Sequence, residues 1–408
     1  MKNNWLNKAT KLSFLGLALL PLLKENVSSM VIILCAILTL VYNIKSKEKR
    51  KVKFKLWLLT LPFWMFLLHE IISLDFNFDR VLLHLPFLIF PLIFAYKPSF
   101  IDDSFKTKSL NVFQISVVLQ SVIYVVFFLT QNPISKFFYV RNNIPFFREF
   151  VSENYFFQIH PTYFSSFLLI SFTISVFSLL KNKKRFLDFI NIIVCVFFIF
   201  LFSSKMIALA LIISIVFTII YFIFQKSFKQ SMLILLISSI LLSVVIYPAR
   251  NVIGKRIMEV KTEINKPIVG DYYNSTNTRM AILKCSMILL KDVPFFGYGN
   301  NLQNKLNDCY KENNDSNFYL KHTFNTHNYY INLITYGGWI FLFLFLGFLF
   351  YLYKKIKNSV LGLFLLFQFL IINLTENYFS RHYGIVLFTY LISMFVFMNK
   401  KKQLNELA

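Results

Sequence analysis

Apolar runs of about the length needed to cross a bilayer alternate with short charged connections along most of the chain. They cover roughly residues 12–23, 27–44, 56–74, 81–96, 109–131, 160–180, 186–203, 206–224, 231–247, 328–353, 358–375 and 382–398. A hydrocarbon core of about 30 Å takes roughly 20 helical residues. The pattern therefore predicts an all-α integral membrane protein of about twelve transmembrane helices. The first and fourth runs are short or broken by Pro21, Pro86 and Pro91. Two segments interrupt the alternation. A smaller one, 132–159, is rich in aromatics and mixed charge; the larger, 248–326, is the one long hydrophilic stretch. Three regions follow: helices 1–9 over 1–247, a large loop over 248–326, and helices 10–12 with a tail over 327–408.

Composition agrees with the periodicity. Hydrophobic residues make up 57% and include 51 Phe, and mean hydropathy is +0.59. The placement of charge adds orientation. Of the 43 Lys and Arg, 25 fall at the N-terminus and in alternate connections: 45–55, 97–108, 181–185, 226–229, 354–357 and 400–402. By the positive-inside rule both termini are cytoplasmic, the number of spans is even, and the large loop is periplasmic. The net charge of +24 is thus mostly a topology signal, and no nucleic-acid partner is expected, because the basic runs are short and lie beside membrane spans. The first run lacks a small-x-small cleavage site and leads straight into another span, which predicts a retained helix. Cys35 and Cys195 sit in apolar runs as small hydrophobes. Cys285 and Cys309 share the large loop, where they either stay free or pair in an oxidising compartment.

The large loop carries 11 basic and 7 acidic residues and few Pro or Gly, so it reads as a folded cap. A surface helix is expected over 250–264. A second is expected over 279–291, with N-cap candidates in 274–278 and Met280, Leu283, Met287 and Leu290 on one interfacial or loop-core face. A turn, Pro294 to Gly299, ends it. There is no convincing internal repeat and there are only 10 Gly, unlike transporters that rock duplicated halves on close Gly packing.

Ionisable residues at the loop boundaries are the candidates for chemistry. His327, followed by Asn328, stands where the hydrophilic loop meets a long apolar run that contains Gly337 and Gly338. It is either an interfacial helix start or a catalytic imidazole acting on a lipid-anchored substrate. Arg279, expected in a first helical turn, opposes the macrodipole unless an anion docks there. Lys205 sits between two apolar runs, either snorkelling or meeting a phosphate. His160 precedes Pro161 at a helix start and reads first as a cap. Arg141, Arg148, Arg250, Arg256 and Arg381 are further cations on the same side. Glu376 and Arg381 flank the last turn on that side, close enough in sequence to pair with one another or to act separately. His69 and Glu70 lie near the end of the third run. Nucleotide-binding, zinc-hydrolase and nucleophile-elbow motifs are absent from the sequence, and no metal or cofactor is expected.

In order and topology these pieces resemble the O-antigen ligase and O-antigen polymerase superfamily of bacterial inner-membrane glycosyltransferases. Ser203, Ser204 and Lys205 are similar to the family's Ser-Arg at the head of a span, with Lys in place of Arg. Thr278-Arg279 and its helix, then Pro294 to Gly299, resemble the Arg-helix-Pro-x-x-Gly-x-Gly segment. His327-Asn328 through Gly337-Gly338 is similar to the His-Asn motif, and His160 to Tyr163 resembles a His-Pro motif of some members. The resemblance implies transfer of a glycan from an undecaprenyl-pyrophosphate donor to a glycan or glycolipid hydroxyl at the periplasmic face of the inner membrane, without metal or nucleotide. On it His327 is either the general base at the acceptor hydroxyl or the residue that protonates or hydrogen-bonds the departing phosphate. Arg279 and Lys205 hold the pyrophosphate with Arg250 or Arg256 as helpers, and Asn328 and His160 support. Lysine keeps the charge at 205 but loses the planar fork. The rival reading is a flippase or transporter of lipid-linked oligosaccharide, which needs a polar path through mid-membrane positions that here are mostly Phe, Leu and Ile.

Overall fold

The structure is a computed structural model that describes residues 4–46, 55–73, 76–141, 144–154, 159–180, 186–202, 204–224, 275–314 and 323–398, with a few isolated positions between them. The expected run 231–247 and surface helix 250–264, apart from such isolated positions, lie outside the described residues. So do Arg250 and Arg256, and the side chains of Lys205 and Arg141.

Among the described residues five helices are long and apolar enough to cross a membrane: α2 (Glu25–Lys45), the bent pair α5 (Phe78–His84) and α6 (Pro86–Ala95), α7 (Asp103–Gln131), α9 (Pro161–Leu180) and α14 (Tyr329–Ile356). Five shorter apolar helices accompany them: α4 (Leu61–Ile72), α10 (Phe186–Leu201), α11 (Lys205–Phe224), α15 (Val360–Asn373) and α16 (His382–Phe397). The first expected run divides between α1 (Asn4–Leu17) and a short turn containing Pro21, and a single-turn helix α3 (Leu56–Leu59) leads into α4. The segment after α7 forms a two-residue antiparallel ladder, β1 (Val140–Arg141) with β2 (Ile144–Pro145), and then α8 (Phe146–Glu153).

Local chemistry sets several of these boundaries. Asp102 caps α7, its carboxylate accepting from the Ser104 and Phe105 amides at 3.0 and 3.1 Å. That placement satisfies orphan donors and suits the positive helix end. Pro161 opens α9, where its missing N–H costs nothing. Helix α9 is apolar on every side and packs against α7, α10, α11 and α15, so Phe164, Phe167, Leu168 and Ile170 are fully buried. An all-round apolar helix belongs at the centre of a bundle. In contrast, α2 leaves Ile33, Ile37 and Leu40 exposed, an outer face suited to lipid. Polar groups inside the bundle find one another: Gln114 Nε2 donates to Asp188 Oδ1 at 3.0 Å and Gln368 Nε2 to Ser214 Oγ at 2.8 Å. Cys35 and Cys195 are free and buried, as their apolar setting implies.

Two helices of the hydrophilic segment are described, α12 (Ser275–Lys291) and α13 (Leu302–Asn313). Cys285 is bonded to Cys309 between them, choosing the paired alternative. Helix α12 begins four residues before Arg279, so the expected first-turn position is corrected: Arg279 lies in the second turn, beyond the free N–H groups. The core face of α12 is Ala281, Ile282 and Cys285, while Met280, Leu283 and Met287 stay exposed, the interfacial alternative for that stripe.

A kink in α14 positions the site. Gly338 has φ 75° inside that helix. The Pro294 to Gly299 turn packs into the break, with the Tyr298 amide donating to the Thr335 carbonyl at 2.8 Å. A Cβ on Gly338 would overlap the Phe295 carbonyl oxygen, and one on Gly297 (φ 71°) would overlap that of Tyr336. Only glycine permits both the backbone angle and this approach.

Candidate active site at the head of the kinked helix

Helix α14 starts at a knotted turn, 325–328. The Asn328 side chain caps it, accepting from the Tyr330 and Ile331 amides at 3.0 Å each, and its Nδ2 donates to the Leu374 carbonyl at 2.9 Å. Thr326 Oγ1 donates to the Asn328 carbonyl at 3.0 Å and lies 3.2 Å from Asn377 Oδ1. The His327 amide donates to Asn325 Oδ1 at 2.9 Å. Held on three sides, His327 adopts φ 46°, the one described non-glycine residue with positive φ. Strain of this kind persists only where the surroundings over-determine it, and it concentrates at functional sites.

The turn aims His327 at Glu376, which lies in the connection between α15 and α16. His327 Nδ1 is 3.1 Å from Glu376 Oε2, and Arg279 Nη2 donates to Glu376 Oε1 at 2.8 Å. The carboxylate side chain is 15% exposed and those of His327 and Arg279 are 30% and 41% exposed, so acid is sheltered and base and cation face outward. Burial pushes the Glu376 carboxyl up, but the hydrogen bond and charge of His327, then the charges of Arg279 and His160, outweigh it and leave the group below its ordinary value. At neutral pH Glu376 is an acceptor on both oxygens, which selects the His327 tautomer with hydrogen on Nδ1 and a lone pair on Nε2. Of the two alternatives for Glu376 and Arg381, the structure takes separate partners. Both carboxylate oxygens are taken by Arg279 and His327, and Arg381 bonds the Tyr163 side chain instead.

His160 faces the same cluster. Its Nδ1 accepts from the Thr162 amide at 3.3 Å, a cap on α9 as the sequence implies. Desolvation, then the charges of Arg148 and Arg381, hold its imidazole down to about 4 against the opposing pull of Glu376. Arg148 in α8 donates to the Phe202 carbonyl at 2.6 Å, tying the smaller loop to the residues just before Lys205, the first residue of α11. Arg279, His327 and His160 therefore gather around Glu376, and Asn328 builds the turn beneath them.

Glu376 is the residue that sequence reasoning undervalued. Its partners are 97 and 49 positions away, and its one legible signal was an acid in a short connection facing an excess of cations. Glu70 is a second such hub. It is fully buried, accepts from the Asn77 amide at 2.8 Å, Asn300 Nδ2 at 3.0 Å and the Tyr336 hydroxyl, and has Arg80 at 3.9 Å. His69 Nε2 lies 3.0 Å from the Phe296 carbonyl, so α4 holds the glycine turn against α14. Beside this contact runs an apolar groove of about 550 Å³, lined by Leu68, Ile72, Ile340 and Leu344 among others.

No curated protein matches the chain. A family model described as O-antigen ligase matches residues 190–346, a span that contains Lys205, Arg279, the glycine turn, His327 and the α14 kink. Over residues 190–346 this membrane protein is similar to the O-antigen ligase family.

Proposed function

We propose that the protein is a membrane glycosyltransferase that moves a glycan from a polyprenyl-pyrophosphate donor to a sugar hydroxyl on a glycan or glycolipid acceptor, at the periplasmic face of the inner membrane. The observation that carries the reading is the Glu376 carboxylate bridging Arg279 and His327. His327 Nε2 takes the proton of the acceptor hydroxyl, the acceptor oxygen attacks the anomeric carbon, and the bond from that carbon to the donor pyrophosphate breaks. The pyrophosphate departs with the bonding electrons, and the outward N–H groups of Arg279 neutralise the charge that gathers on it. Glu376 stabilises the imidazolium as it forms. General-base help is worth about 10²–10⁴ in rate, and one charge-stabilising donor about 10²–10³.

Lys205, at the head of α11, is assigned to the same pyrophosphate, with Arg250 and Arg256 as possible helpers. The apolar groove beside the glycine turn offers room for the donor's hydrocarbon chain. The Cys285–Cys309 bond favours an oxidising compartment for this side of the membrane. About twelve spans, both termini cytoplasmic, and a periplasmic loop over 248–326 complete the topology we infer.

The test is complementation of a deletion strain with wild type, His327→Ala and Arg279→Ala at matched membrane expression. The readouts are the cell's glycolipid ladder and the extracted lipid-linked glycan. The reading predicts that both variants lose long or ligated glycan while precursor still reaches the periplasmic face. Single-repeat products then identify a polymerase and polymer left on the carrier lipid a ligase. Precursor retained on the cytoplasmic face would identify a flippase.

A further inference from the structure

A cavity of about 210 Å³ lies beside the catalytic bridge but does not include it. Arg80 and His84 of α5 form one wall, Asn332 and Tyr336 of α14 another, and Asn377 and Arg381 close it near the Glu376 connection. Among the described residues the lining contains two guanidiniums and no carboxylate. The two nearby acids are engaged: Glu70 takes its hydrogen bonds from Asn77, Asn300 and Tyr336 behind the wall and lies 3.9 Å from Arg80 Nε, and Glu376 takes Arg279 and His327. Arg80 stacks its guanidinium 4.0 Å above the Tyr336 ring, which fixes its plane and leaves its edge for a ligand.

An independent observation concerns the wall of the same space. His84 is 2% exposed and stacked on Phe66 at 3.6 Å. Its Nδ1 lies 2.8 Å from the Arg80 carbonyl, so Nδ1 carries the hydrogen and donates. Nε2 is then a buried acceptor, and it has no partner. Buried polar atoms are nearly always satisfied, and one left open at a cavity wall calls for a donor from a ligand or water. A hydroxyl supplies such a donor. The Asn332 amide and the Arg80 edge supply complementary groups.

We propose that this cavity is a subsite for one anionic sugar residue, with its carboxylate held by Arg80 and Arg381 and a ring hydroxyl donating to His84 Nε2. The proposal rests on the glycan-transfer reading for its biological role. It makes the protein selective for a glycan carrying an acidic sugar next to the reacting centre.

The purified full chain in lipid nanodiscs is titrated with glucuronic acid, glucose and inorganic pyrophosphate, using wild type, Arg80→Gln, His84→Phe and His327→Ala. We expect saturable binding of glucuronic acid, with glucose about tenfold weaker or more. Arg80→Gln and His84→Phe should each weaken glucuronic acid about 10–100-fold, the range for losing a hydrogen bond to a charged or buried partner. His327→Ala should bind as wild type. His84→Phe keeps the ring stack, so it tests the site even if Arg80→Gln disturbs packing around Glu70. Equal binding of glucose and glucuronic acid, or of neither, overturns the proposal. Tighter binding of pyrophosphate with the same Arg80 dependence also overturns it and assigns the cavity to the donor phosphates. Loss of transfer in His327→Ala cells beside a failed titration sinks the subsite alone. A successful titration beside normal transfer in those cells keeps the subsite and sinks the catalytic assignment.

Discussion

Glu376 holds Arg279 through one carboxylate oxygen and His327 through the other, at 2.8 and 3.1 Å. One acid thus sets the position of a cation and the tautomer of a base, and neither partner is close to it in sequence. The carboxylate is sheltered while its partners face outward, so under the proposed function substrate would meet His327 and Arg279 rather than the acid that organises them.

Glu376→Gln keeps the shape of the side chain but removes the charge. The amide no longer selects the Nδ1–H tautomer or stabilises the imidazolium. Transfer should fall about 10²–10⁴-fold at unchanged membrane abundance. Glucuronic acid binding in the neighbouring cavity should persist. Wild-type glycan ladders in Glu376→Gln cells would refute the role given to this residue.

Arg279→Lys separates charge from geometry. Lysine can reach the carboxylate or the substrate but cannot hold both with a planar fork. We expect transfer to be reduced about tenfold in Arg279→Lys and about 10²–10³-fold in Arg279→Ala. An Arg279→Lys variant as impaired as Arg279→Ala would mean that charge contributes little at this position.

The pH dependence follows from the sign of the Glu376 shift. Its folded value lies below the ordinary 4.5, so its contribution to stability is fully present above that value and is lost as pH falls through the lower, folded one. The melting temperature of wild type should exceed that of Glu376→Gln by a constant margin from about pH 8 to pH 5, and the margin should shrink only in stronger acid. His160 has the opposite chemistry and the same slope. Its neutral form is favoured down to about 4, so its part of the stability is lost as pH falls from the ordinary imidazole range toward that value.

Gly338→Ala tests the kink in α14. A methyl group there has both a positive φ of 75° and the Phe295 carbonyl against it. The strain alone is worth about 1–3 kcal/mol, and the overlap adds to it. Detergent-solubilised protein should melt several degrees lower or fail to accumulate. A normal melting curve would mean that the turn and helix do not pack as described.

Reduction should loosen the site without touching it. The Cys285–Cys309 bond closes a 24-residue separation between α12, which carries Arg279, and α13. A loop of this size stabilises by about 3 kcal/mol on the chain-entropy account. A reductant should lower the melting temperature of wild type and have no effect on a Cys285→Ser, Cys309→Ser double variant. Equal sensitivity of the two would place the effect elsewhere.

The sequence by itself determined the membrane class and most helices, because segment length against bilayer thickness and apolar run against charged connection are local, additive properties. It also marked His327, Arg279 and His160, since a lone ionisable group at a boundary is visible without knowing its partners. The start of α12 was misplaced by one turn, because several polar residues in 274–278 compete as caps and only packing around Ala281, Ile282 and Cys285 decides among them. Glu376 looked like a neighbour of Arg381. The tertiary structure gave it instead to two distant residues, because the strained turn at His327 and the second turn of α12 converge on its connection. The cavity between Arg80 and Arg381 is of the same kind. Its residues come from four separate stretches of chain, and no local rule of sequence brings a buried imidazole, two guanidiniums and a set of amides to one point; that takes the packing of α5, α14 and the hydrophilic cap against each other.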